Sequence, residues 1–135
     1  MKHTLEYWVA MYEKHTGEQF AFKENYTFFY KPEHGFCEYK PTADCIYIWA
    51  LCGDLSYWHG LAVQACKKFN IPKLAAWIVR HPKPFIRRLG FKIYHTENRN
   101  GDIKYWCIDK QDKELICTPY GDRYIFEQEV SIDEF

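Results

Sequence analysis

Four side chains in the first half of the chain could move a proton or attack a carbonyl group: Glu38, Cys52, Asp54 and His59. Carboxylates and imidazoles accept protons, and histidine is the residue type whose ordinary pKa best suits a base near neutral pH. A cysteine thiol could act as an acid or a nucleophile. Each residue also has a structural alternative, as a solvated or helix-capping polar group or, for the thiol, as a buried and inert one.

The six cysteines follow no metal-binding pattern. They lie at positions 37, 45, 52, 66, 107 and 117; no two are spaced as C-x-x-C, and none neighbours a histidine at zinc-ligand spacing. The sequence therefore predicts no metal site and favours buried free thiols that behave as small apolar residues. Pairing in an oxidising compartment, or a single reactive thiol, is the alternative.

Composition predicts one globular domain over residues 1–135, with 47% hydrophobic and 19% aromatic residues to build its core. Eighteen Lys and Arg balance eighteen Asp and Glu, which argues against a protein that holds nucleic acid by phosphate neutralisation alone. No apolar run approaches the roughly 18–20 residues of a membrane span. The first six residues lack the apolar core of a signal peptide, so we expect a cytoplasmic protein without membrane contact.

Hydrophobic spacing predicts the elements that would position these groups. A helix is expected over 4–16, with Thr4 as N-cap and Gly17 as its end. Strands are expected at 20–22, 26–30, 36–40 and 45–51. The last of these is apolar on both faces, which is typical of a central strand.

A second helix is expected next, with Ser56 as N-cap and one apolar stripe formed by Trp58, Leu61, Ala62, Ala65, Cys66 and Phe69. A strand at 74–79 completes a βαβ crossover over residues 45–79, which implies a parallel pair. A short helix at 83–89 and strands at 91–96, 103–109, 115–118 and 124–129 follow. The predicted class is α/β (α+β), a mixed, mostly antiparallel central sheet flanked by helices.

Two short motifs within this order carry a resemblance to a known family. Gly60-x-Ala62 lies at the start of the second helix, and Leu89-Gly90-Phe91 follows the short one. The chain thereby resembles the GNAT (GCN5-related N-acetyltransferase) superfamily, whose phosphate cradle reads [Arg/Gln]-x-x-Gly-x-[Gly/Ala] and whose last short helix typically ends in Leu-Gly-Phe. The resemblance covers residues 41–110 and looks closest to small GNAT-like proteins of tailed phages.

The resemblance implies an acyl-CoA-dependent N-acyltransferase, with acetyl-CoA or another acyl-CoA as cofactor and a small-molecule or protein amine as acceptor. It assigns the pantetheine arm to Leu51, Cys52 and Gly53. It assigns the pyrophosphate to the backbone at Tyr57, Trp58, His59, Gly60, Leu61 and Ala62. Glu38, Asp54, His59 and Cys52 become the candidate catalytic groups. The expected location is the cytoplasm, either the host cytoplasm or the virion if the protein is phage-encoded.

Departures from the family pattern support an alternative. Tyr57 stands at the Arg/Gln position, Ile86 stands where the family often has a tyrosine general acid, and residues 45–51 contain no carboxylate general base. The alternative is therefore a catalytically inactive GNAT-fold phage protein that serves as a virion component or binds a host factor. A fold-related enzyme that modifies nucleic acid is a third option. Gly60 itself could serve close helix–sheet packing instead of phosphate binding.

Two surface features have alternative interpretations. A basic cluster, with His81 beside it, could meet the adenosine 3′-phosphate, a nucleic acid or an acidic partner, or could be a solvated helix face: Arg80, Lys83, Arg87, Arg88 and Lys92. An aromatic strip could line a groove or a subunit interface, or face the core: Tyr26, Phe28, Phe29, Tyr30, Phe36 and Tyr39. Exposed edges of a mixed sheet make a homodimer a further expectation.

Overall fold

The computed structural model describes residues 1–79 and 81–130. Within them the chain forms three helices and eight strands in an α+β arrangement, which confirms the predicted class. The elements in chain order are α1 (Leu5–Thr16), β1 (Thr27–Lys31), β2 (Gly35–Pro41), β3 (Ile46–Gly53), α2 (Leu55–Phe69), β4 (Lys73–Ile78), α3 (Pro82–Arg88), β5 (Lys92–Arg99), β6 (Asp102–Ile108), β7 (Glu114–Tyr120) and β8 (Arg123–Glu129).

All eight strands belong to one sheet, in the order β1-β2-β3-β4-β8-β7-β6-β5. The β3–β4 pair is parallel, and the other neighbouring pairs are antiparallel. The crossover through α2 is the one predicted over residues 45–79, and it confirms the parallel pair. The last strand in the chain therefore lies beside β4, in the middle of the sheet.

Local capping explains where the first two helices begin and end. Thr4 accepts a hydrogen bond from the Tyr7 amide, and Gly17 ends α1 in the left-handed region at φ 73°, as predicted. The predicted N-cap of α2 is wrong by two residues. The side chain of Asp54, not Ser56, accepts from the Tyr57 amide, so the helix begins at Leu55.

Alternate residues of β2 and β3 face two different layers. Cys37, Ile46 and Ile48 belong to the cluster under α2. Phe36 and Ala50 belong to the cluster under α1. Phe36 and Cys37 are neighbours and point to opposite faces, so α1 covers one face of the sheet and α2 covers the other. Ile48 and Ala50 also face opposite sides, because a register shift leaves Trp49 unpaired between them. A third cluster, which includes Ile86 of α3, fills the space over β6, β7 and β8.

The predicted strand at 20–22 is wrong. This segment makes its backbone hydrogen bonds to side chains instead: the Phe20 amide donates to Glu13 and the Lys23 amide donates to Glu38. The aromatic strip serves the core in part, as one of its interpretations held. Phe36 is fully buried, and the rings of Phe20 and Phe28 lie against it at 5.0 and 5.3 Å between centroids.

The predicted apolar stripe of α2 is also only partly correct. The helix buries Trp58 and Cys66 and packs Ala62 beside them, whereas Leu61 and Phe69 are 37% and 65% exposed. Trp58, Ala62 and Cys66 are spaced by four and lie in one line along the helix. Leu61 and Phe69 lie beside that line and face outward. None of the described helices is long and apolar enough to cross a membrane.

The second half of the sheet follows its turn signals. Asn100 and Gly101 both have positive φ, at 56° and 93°, as a two-residue hairpin turn requires. Residue 80, one member of the predicted basic cluster, and residues 131–135 lie outside the described residues.

Candidate functional site

A β-bulge at Trp49 separates the two parallel strands. Opposite β2, Glu38 pairs with Ala50 and Tyr39 pairs with Ile48, so Trp49 has no partner in that ladder. The pairing of β3 with β4 ends at Ile48 as well, after only three residue pairs. A bulge bends its strand and increases the local twist. Among the described residues, 50–53 of β3 pair with β2 alone.

A cleft of about 500 Å³ opens where β3 and β4 diverge. Residues 48–53 form one wall and residues 76–79 form the opposite one. The cleft crosses the sheet, because its lining includes Tyr12 of α1 on one face and His59 of α2 on the other. Besides Cys52, its ionisable and amide side chains are Tyr12, His15, His59, Arg88, Arg123 and Gln128. No Asp or Glu of the described residues lines it.

The end of β3 is held against the start of β2 by two facing glycines. Gly35 and Gly53 are register partners with φ of 103° and 104°. A Cβ at Gly53 would lie 2.2 Å from the His34 carbonyl oxygen, and one at Gly35 would lie 2.0 Å from that of Cys52. Gly53, assigned from the sequence to the pantetheine arm, is therefore a glycine that the fold itself requires.

His34 also holds the first turn of α2. Its carbonyl oxygen accepts hydrogen bonds from the Asp54 amide and from the Trp58 indole, at 2.9 and 2.8 Å. Its ring stacks on Tyr57 with 3.6 Å between centroids. Trp58 is 3% exposed. The Tyr57 and Trp58 side chains thus fasten the β1–β2 turn to the helix, and neither lines the cleft.

Gly60 differs from the other residues assigned to the phosphate cradle. A Cβ added there would meet no described atom within 4 Å. Close helix–sheet packing therefore does not explain this glycine, and that interpretation is wrong. Of its neighbours, Ala62 faces the core and Leu61 is partly exposed. The surface above Gly60 is open, but Gly60 is the sixth residue of α2 and does not line the cleft. The Trp58 amide already donates to the Asp54 carbonyl oxygen, so the assigned backbone from Trp58 onward lies past the free N–H groups of the first turn.

His59 is the candidate base that the cleft contains. Its Nε2 lies 2.7 Å from Oε1 of Gln128, which is 8% exposed on β8. In the neutral tautomer that carries its hydrogen on Nε2, this nitrogen donates to that oxygen and Nδ1 keeps a lone pair. The chain brings these residues together across 69 positions, and no local motif signals the contact.

Cys52 also lines the cleft, but its thiol has a partner. It is 8% exposed, and its Sγ donates to the Trp8 carbonyl oxygen at 3.4 Å. Tyr12 lines the cleft on the same face, and burial, followed by the charge of Glu18, raises its pKa above the ordinary value. All six cysteines are buried and free, as the favoured interpretation held. Burial raises the pKa of Cys37 to about 12.

Glu38 and Asp54 lie outside the cleft lining. Glu38 is 1% exposed behind the β3 wall; its Oε2 accepts from the Lys23 amide at 2.9 Å, and its Oε1 has no described partner. Burial raises the pKa of this carboxyl above its usual value. Asp54 uses its carboxylate to cap α2, with His34 Nδ1 3.3 Å away. The geometry therefore separates these two residues from Cys52 and His59.

The basic cluster meets the cleft at one residue. Arg88 lines the cleft, whereas Lys83, Arg87 and Lys92 are exposed outside it. Ile86, at the position where the resembling family often has a tyrosine, is 2% exposed in the core under α3. The described residues contain no group of three or more His, Cys, Asp or Glu arranged to hold a metal ion.

A scan against models of known protein families, a search of curated proteins and a search of solved structures each found no match to this chain. Functional inference therefore rests on the geometry of the cleft and on the sequence motifs that carry the resemblance.

Proposed function

We propose that the protein is an acyl-CoA-dependent N-acyltransferase that transfers an acetyl group from acetyl-CoA to an amine. One observation carries the proposal: the parallel strands diverge after Ile48 and open a cleft of about 500 Å³ beside the start of α2. A cleft of this size fits a cofactor-sized ligand. The proposal takes its cofactor from the resemblance to the GNAT superfamily.

The β3 edge supplies a physical reason for binding the pantetheine arm. Residues 50–53 pair with β2 on one side and line the cleft on the other. An unpaired strand edge binds an extended amide-containing chain by main-chain hydrogen bonds. The first turn of α2 follows directly, and helix N-termini favour phosphate. Arg88 supplies the positive charge of the cleft near α3.

In the proposed reaction His59 is the base. It would take a proton from the acceptor amine while the amine nitrogen attacks the thioester carbonyl carbon and coenzyme A leaves as a thiolate. Its contact with Gln128 holds the ring, and it is one of two histidines in the lining. Proximity and polarisation by backbone N–H groups would supply much of the rate.

The test compares two substitutions on α2. Gly60→Glu places an anion on the open surface just after the first turn of α2, and Gln64→Glu adds the same charge at an exposed residue one turn further along the helix. In wild type and Gln64→Glu, acetyl-CoA should raise the melting temperature saturably. Gly60→Glu should abolish that shift. Equal shifts in the two variants would place the cofactor elsewhere.

A second candidate function is binding without transfer, as in a virion component or a binder of a host factor. The lining of the cleft favours it, because it contains no carboxylate among the described residues, and Tyr57 is stacked on His34. Mass spectrometry of reactions with acetyl-CoA and a panel of amines separates the two. Saturable acetyl-CoA binding without any acetylated product would support the inactive protein.

A further inference from the structure

A second, smaller cavity lies on the α1 face of the sheet and shares walls with the cleft. Its volume is about 210 Å³, and Tyr12, Trp49, Ala50 and Arg123 line both spaces. One water molecule occupies about 30 Å³ in the liquid. The cavity is several times larger than that and has the size of one amino acid. A ligand there would reach the cleft from the face opposite α2.

Arg123 gives this cavity a free hydrogen-bonding edge. One of its terminal nitrogens donates to Glu18, and no other described group accepts from the rest of its guanidinium. Arginine carries five N–H donors in a planar fork that matches a carboxylate. The ion pair with Glu18 fixes the position of the Arg123 side chain before a ligand binds. Because a partly exposed ion pair contributes little to stability, its geometry can change at little cost when a ligand arrives.

The other walls are largely aromatic, and Arg123 and Glu18 are the charged side chains of the described lining. Tyr12, Phe20 and Trp49 line the cavity. Lys23 Nζ lies 3.9 Å from the Trp49 ring centroid, and the Arg123 guanidinium carbon lies 5.8 Å from it. Glu18 is the one carboxylate in the lining that the structure describes. The rings therefore suit a planar aromatic side chain, and the remaining N–H groups of Arg123 suit a carboxylate.

We infer that the small cavity beside Trp49 and Arg123 binds the acyl acceptor, and that the acceptor is an aromatic α-amino acid whose carboxylate pairs with Arg123. The transfer step rests on the proposed function. In it the amino nitrogen forms a bond to the acetyl carbonyl carbon and the C–S bond breaks. One amine proton goes to His59 and then to the coenzyme A thiolate, giving an N-acetyl amino acid and coenzyme A.

The test uses L-phenylalanine and phenethylamine, which differ by the carboxylate. Calorimetry with the full chain, with and without acetyl-CoA, should show phenylalanine binding about tenfold more tightly. Arg123→Gln should bring the two affinities together. Lys113→Gln, which removes another exposed ion pair at 3.3 Å, should keep the preference. If Arg123→Gln does not fold, Glu18→Gln serves instead and should tighten phenylalanine binding several-fold.

The outcomes separate the two proposals. Equal affinity for the two ligands, or a preference that Arg123→Gln leaves intact, would overturn the carboxylate site. Acetyl-CoA binding without phenylalanine binding would do the same while sustaining the proposed function. Phenylalanine preference without acetyl-CoA binding would sustain the carboxylate site and refute the acyltransferase. N-acetylphenylalanine found by mass spectrometry, and absent in Arg123→Gln, would support both.

Discussion

Glycines in the neighbourhood of the cleft serve different purposes. Gly53 is a glycine because the His34 carbonyl approaches it and its φ is positive, whereas the space around Gly60 is open. The sequence could place both at the end of a strand and the start of a helix. It could not show which one the fold requires, because the approach of His34 depends on the register of β2.

These two glycines should respond oppositely to the same substitution. Gly60→Ala should stabilise the protein by about 0.5–1 kcal/mol, since it removes a glycine from a helix interior without a clash. Gly53→Ala should destabilise the protein by at least about 1–3 kcal/mol, because an alanine would be strained at this positive φ. Urea unfolding of both variants measures the free energies. A destabilised Gly60→Ala would mean that the surface there is already filled.

Glu38 should make stability depend on pH. Burial raises the pKa of this carboxyl in the folded protein above the ordinary 4.5, so the folded state holds the proton more tightly than the unfolded state. The stability that the protonated carboxyl contributes is therefore complete below its pKa in the unfolded state. It is lost as the pH rises through its pKa in the folded state. Glu38→Gln, which does not titrate, should gain stability over wild type as the pH rises.

The comparison is made by urea unfolding from below pH 4.5, the ordinary carboxyl value, up to neutrality. Glu24→Gln, at an exposed residue, is the control and should follow wild type across the range. Parallel curves for wild type and Glu38→Gln would contradict the buried position of this carboxyl.

Among the elements, those with local signals were predictable. Thr4 and Gly17 bound α1, and Asn100-Gly101 closes a hairpin, because caps and turns depend on a few neighbouring residues. The bulge at Trp49 had no such signal, since β3 reads as one apolar run. The divergence of β3 from β4, and with it the cleft, follows from that bulge and was not foreseen.

The start of α2 can be tested directly. Asp54→Ala should destabilise the protein by about 0.5–2 kcal/mol, because it removes the group that accepts from the Tyr57 amide. Ser56→Ala, at the N-cap that the sequence predicted, is the matched control and should change stability by less than about 0.5 kcal/mol. If Ser56→Ala lost more stability than Asp54→Ala, Ser56 would be the N-cap of α2, as the sequence predicted.

Across the whole molecule, the cleft collects residues that are far apart in the chain. Tyr12 comes from the first helix, His59 from the second, and Gln128 from the last strand, which lies beside β4 in the sheet. The sequence indicated His59 and Cys52 through their positions near the strand–helix junction. It could not indicate Arg123 or Gln128, because only the strand order brings β8 to the centre. It could not indicate Tyr12, because only the packing of α1 on the sheet brings that residue to the cleft.

The central claim is that the cleft between β3 and β4 holds acetyl-CoA, and calorimetric titration tests it most directly. Wild type and Arg87→Gln, which changes an exposed arginine outside the cleft, should bind acetyl-CoA saturably and alike. Arg88→Gln, which removes one of the two arginines that line the cleft among the described residues, should weaken binding about tenfold. The absence of binding by wild type at millimolar acetyl-CoA, or equal affinity in the two variants, would contradict the account.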